Sequence, residues 1–360
     1  MNGHWLLETR GDPLGRLQDF IGVIWLEAAL TGMLLPLNGN PDANTSGAMT
    51  PTLVRDRARL GQVNPFRPLM TENAAGRLPA LMKENPEDRL GVMLRPCEVR
   101  ALIEMRKHNG FRPERLVLVS VDCLATYDVD EYGWRAERKR TGRLSDEALQ
   151  FARQGGIVPY RYRPACQVCY SPEAKAADVN VLVLGLPARQ GLLVRARDEE
   201  TAERLNIEAH TDGIAPADLV AQHDRVVEKL EARRLETRQR LTAELGSLLP
   251  RDVGTLVEGF EACGECRRCL DVCPICAVDY PQRDRNDRYL HDDIARWLVS
   301  CAGCGMCAQA CPRGEPLSLI FGHIREKLLA ETGYEPGRDF SEPLPLDALF
   351  GNQKPGAVVG

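Results

Sequence analysis

"CGECRRCLDVCPIC", residues 263–276, packs five cysteines into fourteen residues, and "CAGCGMCAQACP", residues 301–312, repeats the device downstream. The first stretch runs Cys263, Cys266, Cys269, Cys273, Pro274, and the second runs Cys301, Cys304, Cys307, Cys311, Pro312, with the same intervals. This is the four-cysteine spacing of bacterial iron–sulfur proteins, in which the fourth cysteine ligates the other cluster. Three thiolates two residues apart wrap one corner of a 4Fe–4S cube. The fourth lies a helical turn farther on, faces away, and the proline redirects the chain. One cluster is therefore expected on Cys263, Cys266, Cys269 and Cys311, and a second on Cys301, Cys304, Cys307 and Cys273. Zinc sites use paired CxxC units with a longer gap, whereas here a third cysteine follows at once in each motif. Cys276 falls outside the pattern; a buried spectator, a spare ligand and a thiol uncovered on cluster loss all remain open.

Outward from the motifs the pattern is helical. Leu290, Ile294, Trp297 and Leu298 recur at helical spacing, with Asp292 and Asp293 early in that helix, where its dipole favours them. A second apolar helix is expected after Pro312. An α-helical two-cluster ferredoxin domain is expected over 251–332, not the short β-sheet type. Residues 216–250 contain "ADLVAQHDRVVEKLEARRLETRQRLTAELG", which has no proline and a glycine only at its end, and read as a connecting helix. Leu219, Val226, Leu230, Leu241 and Leu245 give it a broken apolar stripe that does not keep a heptad. Residues 333–360, rich in Pro and Gly, are expected to be an extended tail.

Residues 1–215 alternate between strand and helix patterns. "RLGVMLRP" (89–96) is a short apolar run, "CEVRALIEMRKHNG" carries a helical period and stops at Gly110, and "RLVLVSVDC" reads as a buried strand. "DVNVLVLGL" and "GLLVRAR" read as two more strands joined by a short turn. An α/β (α+β) domain follows. "NGNPDANTSGAMTP" (38–51) reads as a loop and Gly155–Gly156 as a turn.

The net charge of −5, from 46 basic and 51 acidic residues, with no basic stripe, excludes nucleic acid as a natural partner. The apolar stretch 20–37 approaches bilayer length, but Glu27 lies near its middle and Gly32 and Pro36 interrupt it. It reads as a buried helix running into a strand, with no membrane span. The first residues lack the positive region of an export signal, so a cytoplasmic, reducing compartment is expected for the thirteen cysteines. No dinucleotide or nucleoside-triphosphate glycine fingerprint is present. No His/Asp/Ser catalytic set stands out, and His108, His210 and His291 read as solvated or packed; no catalytic residue is assigned.

Cys97, Cys123, Cys166 and Cys169 remain. Cys97 follows a strand and opens a helix, Cys123 ends a strand, and the CxxC pair lies in a loop before another strand. Loops at the ends of neighbouring strands can converge, and four thiols there would hold a third cluster; buried spectators or a zinc site are the alternatives.

"RPCEVRALIEM" (95–105), "LVSVDCLATY" (118–127) and "RPACQVC" with "ADVNVLVLGL" (163–169, 177–186) resemble the core of the coenzyme F420 hydrogenase/dehydrogenase beta-subunit family. The order of the two cysteine motifs and the "YEPGRD" and "EPLPL" tail is similar to its formate dehydrogenase beta-subunit branch. The resemblance spans about 89 to 347 and includes every cysteine. It implies an iron–sulfur subunit relaying electrons between a formate dehydrogenase or hydrogenase catalytic subunit and another acceptor, with Cys97, Cys123, Cys166 and Cys169 as ligands of a further 4Fe–4S cluster. Many members bind FAD, but the glycine-rich flavin segment of the family has no good match in "LTGMLLPLNGNPDANTSG" (30–47), which leaves FAD open. The alternatives are a flavin-dependent oxidoreductase acting on coenzyme F420 or a nicotinamide, and a component of a heterodisulfide reductase-like complex.

Overall fold

The computed structural model describes residues 3–38, 49–108, 113–139, 141–154 and 161–350. Seven strands form one mixed sheet: β1 (His4–Glu8), β2 (Gly32–Asn38), β3 (Met49–Val54), β4 (Leu90–Leu94), β5 (Leu116–Val121), β6 (Val179–Leu182) and β7 (Gly191–Ala196). Their spatial order is β1-β7-β6-β5-β4-β2-β3. The inner strands β2, β4, β5 and β6 run parallel, while β3 closes one edge and the β7–β1 pair the other in antiparallel fashion.

Both faces of the sheet are covered, which is why its inner strands read as unbroken apolar runs. Side chains alternate across β5: Val117, Val119 and Val121 enter one core, Leu116 and Leu118 the other. The first core is closed by the helix Pro13–Glu27, which presents Leu17, Phe20, Ile21, Ile24 and Trp25. Asp12 caps that helix by accepting from Gly15 N at 2.9 Å, with Pro13 in its first turn. Burying each large apolar side chain of this set is worth about 1.5–3 kcal/mol, which outweighs the presence of Glu27 at the helix end. The stretch 20–37 is thus a helix running into β2. Among the described residues no helix is long and apolar enough to cross a membrane.

The second face is covered by the helix Pro96–Lys107 and, beyond it, by the carboxyl-terminal helices. Val99, Leu102 and Ile103 share one continuous core with Leu256, Ile275, Ile294, Trp297, Phe321 and Ile324. After β7 the described residues form helices and no strand, including Ala217–Leu245, Val253–Glu261, His291–Val299 and Leu317–Leu329.

Several expectations change. β1 and β3 were not anticipated, because edge strands of five and six residues carry little pattern of their own. Met49–Pro51 belong to β3 rather than to a loop; residues 39–48, Gly110 and Gly155–Gly156, for which a loop, a helix stop and a turn were expected, lie outside the described residues. The long helix buries His223, Val227, Leu230 and Arg234, so half of its inward stripe is polar. The tail is not simply extended. Tyr334 is buried and donates to Glu104 Oε2 at 2.6 Å, Gly337 N donates to Glu104 Oε1 at 2.7 Å, and Leu346–Phe350 is a short helix. A Cβ on Gly337, at φ +77°, would strike Arg100, so glycine is what lets the tail lie against that side chain. Residues 351–360 lie outside the described set.

Candidate metal centres

β4 and β5 are adjacent and parallel, so their carboxyl ends deliver the following residues to one edge of the sheet. Arg95, Pro96 and Cys97 leave β4 and open a helix; Asp122 and Cys123 leave β5. Glu98 stitches the first turn by accepting from Arg95 N at 2.7 Å and from Ala74 N at 2.9 Å. The CxxC segment returns to the same edge through a short helix, Pro164–Gln167, rather than a plain loop. Arg163 N donates to Thr126 O at 2.9 Å and Cys123 N to Pro172 O at 2.8 Å, which fixes it beside the β5 exit.

The result is a cavity of about 380 Å³, mouth included, lined by Cys97, Cys123, Cys166 and Cys169 together. Cys304, from the second motif, stands on its wall. Arginines ring the thiols. Arg100 Nη2 donates to Cys169 Sγ at 3.4 Å, and Arg163 Nη2 to Cys166 Sγ at 3.9 Å. Arg95 and Arg234 line the same cavity, and Nε and Nη1 of Arg234 have no hydrogen-bond partner although the residue is 4% exposed. Burial pushes the Cys97 thiol well up, reinforced by Cys123 and Glu98, and raises Cys123, reinforced by Cys166. Burial acts on Cys169 in the same sense, but Arg100 and Arg234 outweigh it and hold that thiol below its ordinary value.

The two motifs fold against each other. The short helices Arg268–Asp271 and Met306–Ala310, which carry Cys269 and Cys307, are neighbours. Burial raises Cys304 to about 11 and raises Cys301 and Cys307 as well, and Cys273 of the other motif adds to the rise in each. Cys273 thus lies near enough to Cys301, Cys304 and Cys307 to act on all three thiols. Burial also lifts Cys269 to about 12, with Cys263 and Cys266 adding to it. Arg313 Nη1 donates to Ala262 O at 2.9 Å and so holds the residues after Cys311 beside the start of the first motif. Cys266 is exposed, which puts that end of the molecule at the surface.

Cys276 proves to be a neighbour of Cys273. Its hydrogen bond is the main reason Cys273 is held down at about 7, with Trp297 Nε1 donating to the same sulfur at 3.2 Å. Gly305 has φ +72°, and a Cβ there would collide with Ala165, one residue before Cys166. This contact brings the 303–306 turn onto the CxxC segment.

Among the described residues no three His, Cys, Asp or Glu side chains gather around one point as for a single metal ion. Cys97, Cys123, Cys166, Cys169 and Cys304 line one cavity and Cys301 and Cys307 another, with arginine or indole N–H donors directed at the sulfurs of Cys166, Cys169 and Cys273, a donor set that suits an anionic sulfur-rich cluster. His108 is buried between Asp279 Oδ2 and Ser300 Oγ, both at 2.7 Å; His210 meets Glu27 at 2.7 Å, and His291 is exposed. Sequence reasoning missed the arginines; it placed Trp297 in the core, where it is, but not its donation to Cys273. One signal was present: Arg-Pro precedes the cysteine in both "RPC" (95–97) and "RPAC" (163–166).

Residues 252–315 match the 4Fe–4S dicluster domain family. The chain is also 22% identical over 299 residues to the F420-dependent formate dehydrogenase subunit beta of Methanocaldococcus jannaschii, covering 71% of this chain and 76% of that one. Over that span the chain is similar to this beta subunit. The likeness reaches beyond the dicluster domain into the sheet, because 299 residues cannot be matched within 252–315 alone.

Proposed function

We propose that the chain is an electron-transfer subunit carrying three 4Fe–4S centres, which passes electrons between a formate dehydrogenase or hydrogenase catalytic subunit and another acceptor. The convergence of Cys97, Cys123, Cys166 and Cys169 on one cavity, with Cys304 on its wall, is the observation that carries this reading. The first centre would use Cys263, Cys266, Cys269 and Cys311; the second Cys301, Cys304, Cys307 and Cys273; the third the four converging cysteines. Residues 1–215 would be the F420 hydrogenase/dehydrogenase beta-subunit-like domain, 216–250 its connecting helix and 251–332 the α-helical two-cluster module.

A bound 4Fe–4S cluster takes up and releases one electron at a time at a potential that follows burial and hydrogen bonds to sulfur. The residues of the chain supply those conditions. Trp297 and Cys276 direct donors at Cys273, Arg100 ties the CxxC loop to Ala302 O at 3.4 Å, and the shared core keeps water from the inner thiols. The thirteen free cysteines suit a reducing, cytoplasmic setting.

A second reading is favoured by a neighbouring open cleft of about 530 Å³, solvent-filled mouth included, at the carboxyl ends of β2, β4 and β5, which shares Met70 and Arg95 with the cysteine cavity. A flat redox ligand there would exchange electrons with the third centre, as in a flavin-dependent oxidoreductase acting on coenzyme F420 or a nicotinamide.

Iron and acid-labile sulfide analysis of anaerobically purified protein tests the first reading. About twelve irons per chain are expected. A value near eight removes the third centre, and two or three irons, or zinc, removes the reading altogether. Flavin absorbance in the same sample would favour the second reading, and its absence after reconstitution with FAD would remove it. Co-purification of the native complex identifies the partner.

A further inference from the structure

We infer that Arg100, Arg163 and Arg234 make the third centre the electron sink of the chain, holding its reduction potential above those of the two motif centres; the inference rests on the three-centre reading above. Arg234 is the principal observation. It descends from the middle of the Ala217–Leu245 helix, is 4% exposed, lines the cysteine cavity and leaves Nε and Nη1 without a partner. Buried donors are almost always paired, and two orphaned N–H groups of a cation beside four thiols mark where an anion sits.

The other two guanidinium groups are fixed in place. Arg100 is held by Ser171 O at 3.0 Å and Ala302 O at 3.4 Å while its remaining nitrogen reaches Cys169 Sγ. Arg163 is 3% exposed, donates from Nε to Thr126 Oγ1 at 2.8 Å and from Nη1 to Gln309 Oε1 at 3.3 Å, and turns Nη2 to Cys166. Among the described residues no carboxylate lines this cavity, and Glu98, next to Cys97, is the buried carboxylate that offsets them in part. The motif centres have fewer guanidinium donors aimed at sulfur: Trp297 Nε1 reaches Cys273 Sγ at 3.2 Å and Arg325 Nη1 donates to the backbone O of Cys301, while Arg100 and Arg163 act on Cys301 and Cys304 through their field alone.

Electron transfer to the third centre moves one electron, makes or breaks no bond and needs no proton. It adds one negative charge inside a buried ring of three cations, where the attraction is poorly screened. Reduction is therefore favoured there over the motif centres, and electrons entering at exposed Cys266 run inward.

The test is a reductive titration of the anaerobic full-length chain followed by paramagnetic resonance, with Cys123→Ala used to identify the third signal. In the parent protein the third centre is expected to be reduced first. Arg234→Gln is expected to shift the electron equilibrium between it and the motif centres by about tenfold, ~59 mV for one electron. Arg234→Lys should retain most of the parent value, and the centre of Cys263, Cys266, Cys269 and Cys311, which has no ligand on this cavity, should not move in either variant. A third centre that is reduced last in the parent overturns the inference whatever the variants do, as does an unmoved potential in an Arg234→Gln protein with full iron. Parent protein with only about eight irons indicates instead that the three-centre reading is at fault.

Discussion

Replacing Glu104 by Gln tests how the tail is attached. Glu104 is fully buried on the helix Pro96–Lys107 and holds three partners: Lys107 Nζ at 3.0 Å, Tyr334 Oη at 2.6 Å and Gly337 N at 2.7 Å. The side chain of Lys107 is only 3% exposed and also donates to Tyr334 Oη at 2.8 Å. Gln keeps the shape and one acceptor but removes the charge, which leaves a buried ammonium without its counter-ion. Breaking a buried pair in this way costs about 3–5 kcal/mol. At roughly 2 °C per kcal/mol for a long chain, the melting midpoint should fall by roughly 6–10 °C. Thermal scans at one heating rate, read by far-ultraviolet circular dichroism, measure this, and limited proteolysis should show earlier cleavage in 334–346. The double variant Glu104→Gln/Lys107→Met should recover part of the loss, since the stranded charge is gone. A midpoint within 2 °C of the parent, or a double variant worse than the sum of its parts, would refute the argument.

Three further outcomes are expected. Trp297→Phe keeps a ring in the Phe260–Phe321 aromatic cluster but removes the N–H donor to Cys273, so the centre proposed to use Cys273 should drop by roughly 30–60 mV in a redox titration, with iron content unchanged. Gly305→Ala drives a methyl group into Ala165 at a left-handed backbone position, costing about 1–3 kcal/mol; iron retention on mild oxidation should fall, and the added change Ala165→Gly should restore part of it. His223 is buried against Asp122 Oδ2 at 3.0 Å: burial alone would lower its pKa, but Asp122 and then Asp224 outweigh that and raise it. A pKa raised on folding stabilises most below the unfolded value near ~6.5 and fades as pH climbs through the folded value. The melting advantage of the parent over His223→Gln should therefore be largest in mild acid and shrink above neutrality; an advantage that grows with pH would contradict the pairing.

The dicluster domain was legible because its ligand spacing is local. Residues two or three apart on a loop and one helical turn have few ways to present thiols, so interval alone carries the chemistry. The inner strands were legible for a similar reason, since burial on both faces leaves unbroken runs such as "LVLVSV" (116–121). β1 and β3 were not, because five or six residues at a sheet edge are chosen by their neighbours. Arg234 was equally hidden: within a helix of alternating charges nothing distinguishes the one guanidinium that turns inward.

From its own letters the chain declared two four-cysteine motifs, an α/β region ahead of them and the helices around them, because period and spacing are properties of neighbouring residues. Tertiary structure alone decided that Cys97, Cys123, Cys166 and Cys169, spread over 73 positions, face one cavity with Cys304 and a ring of arginines. Strand order and a returning loop set that meeting, and both depend on packing between segments far apart in sequence.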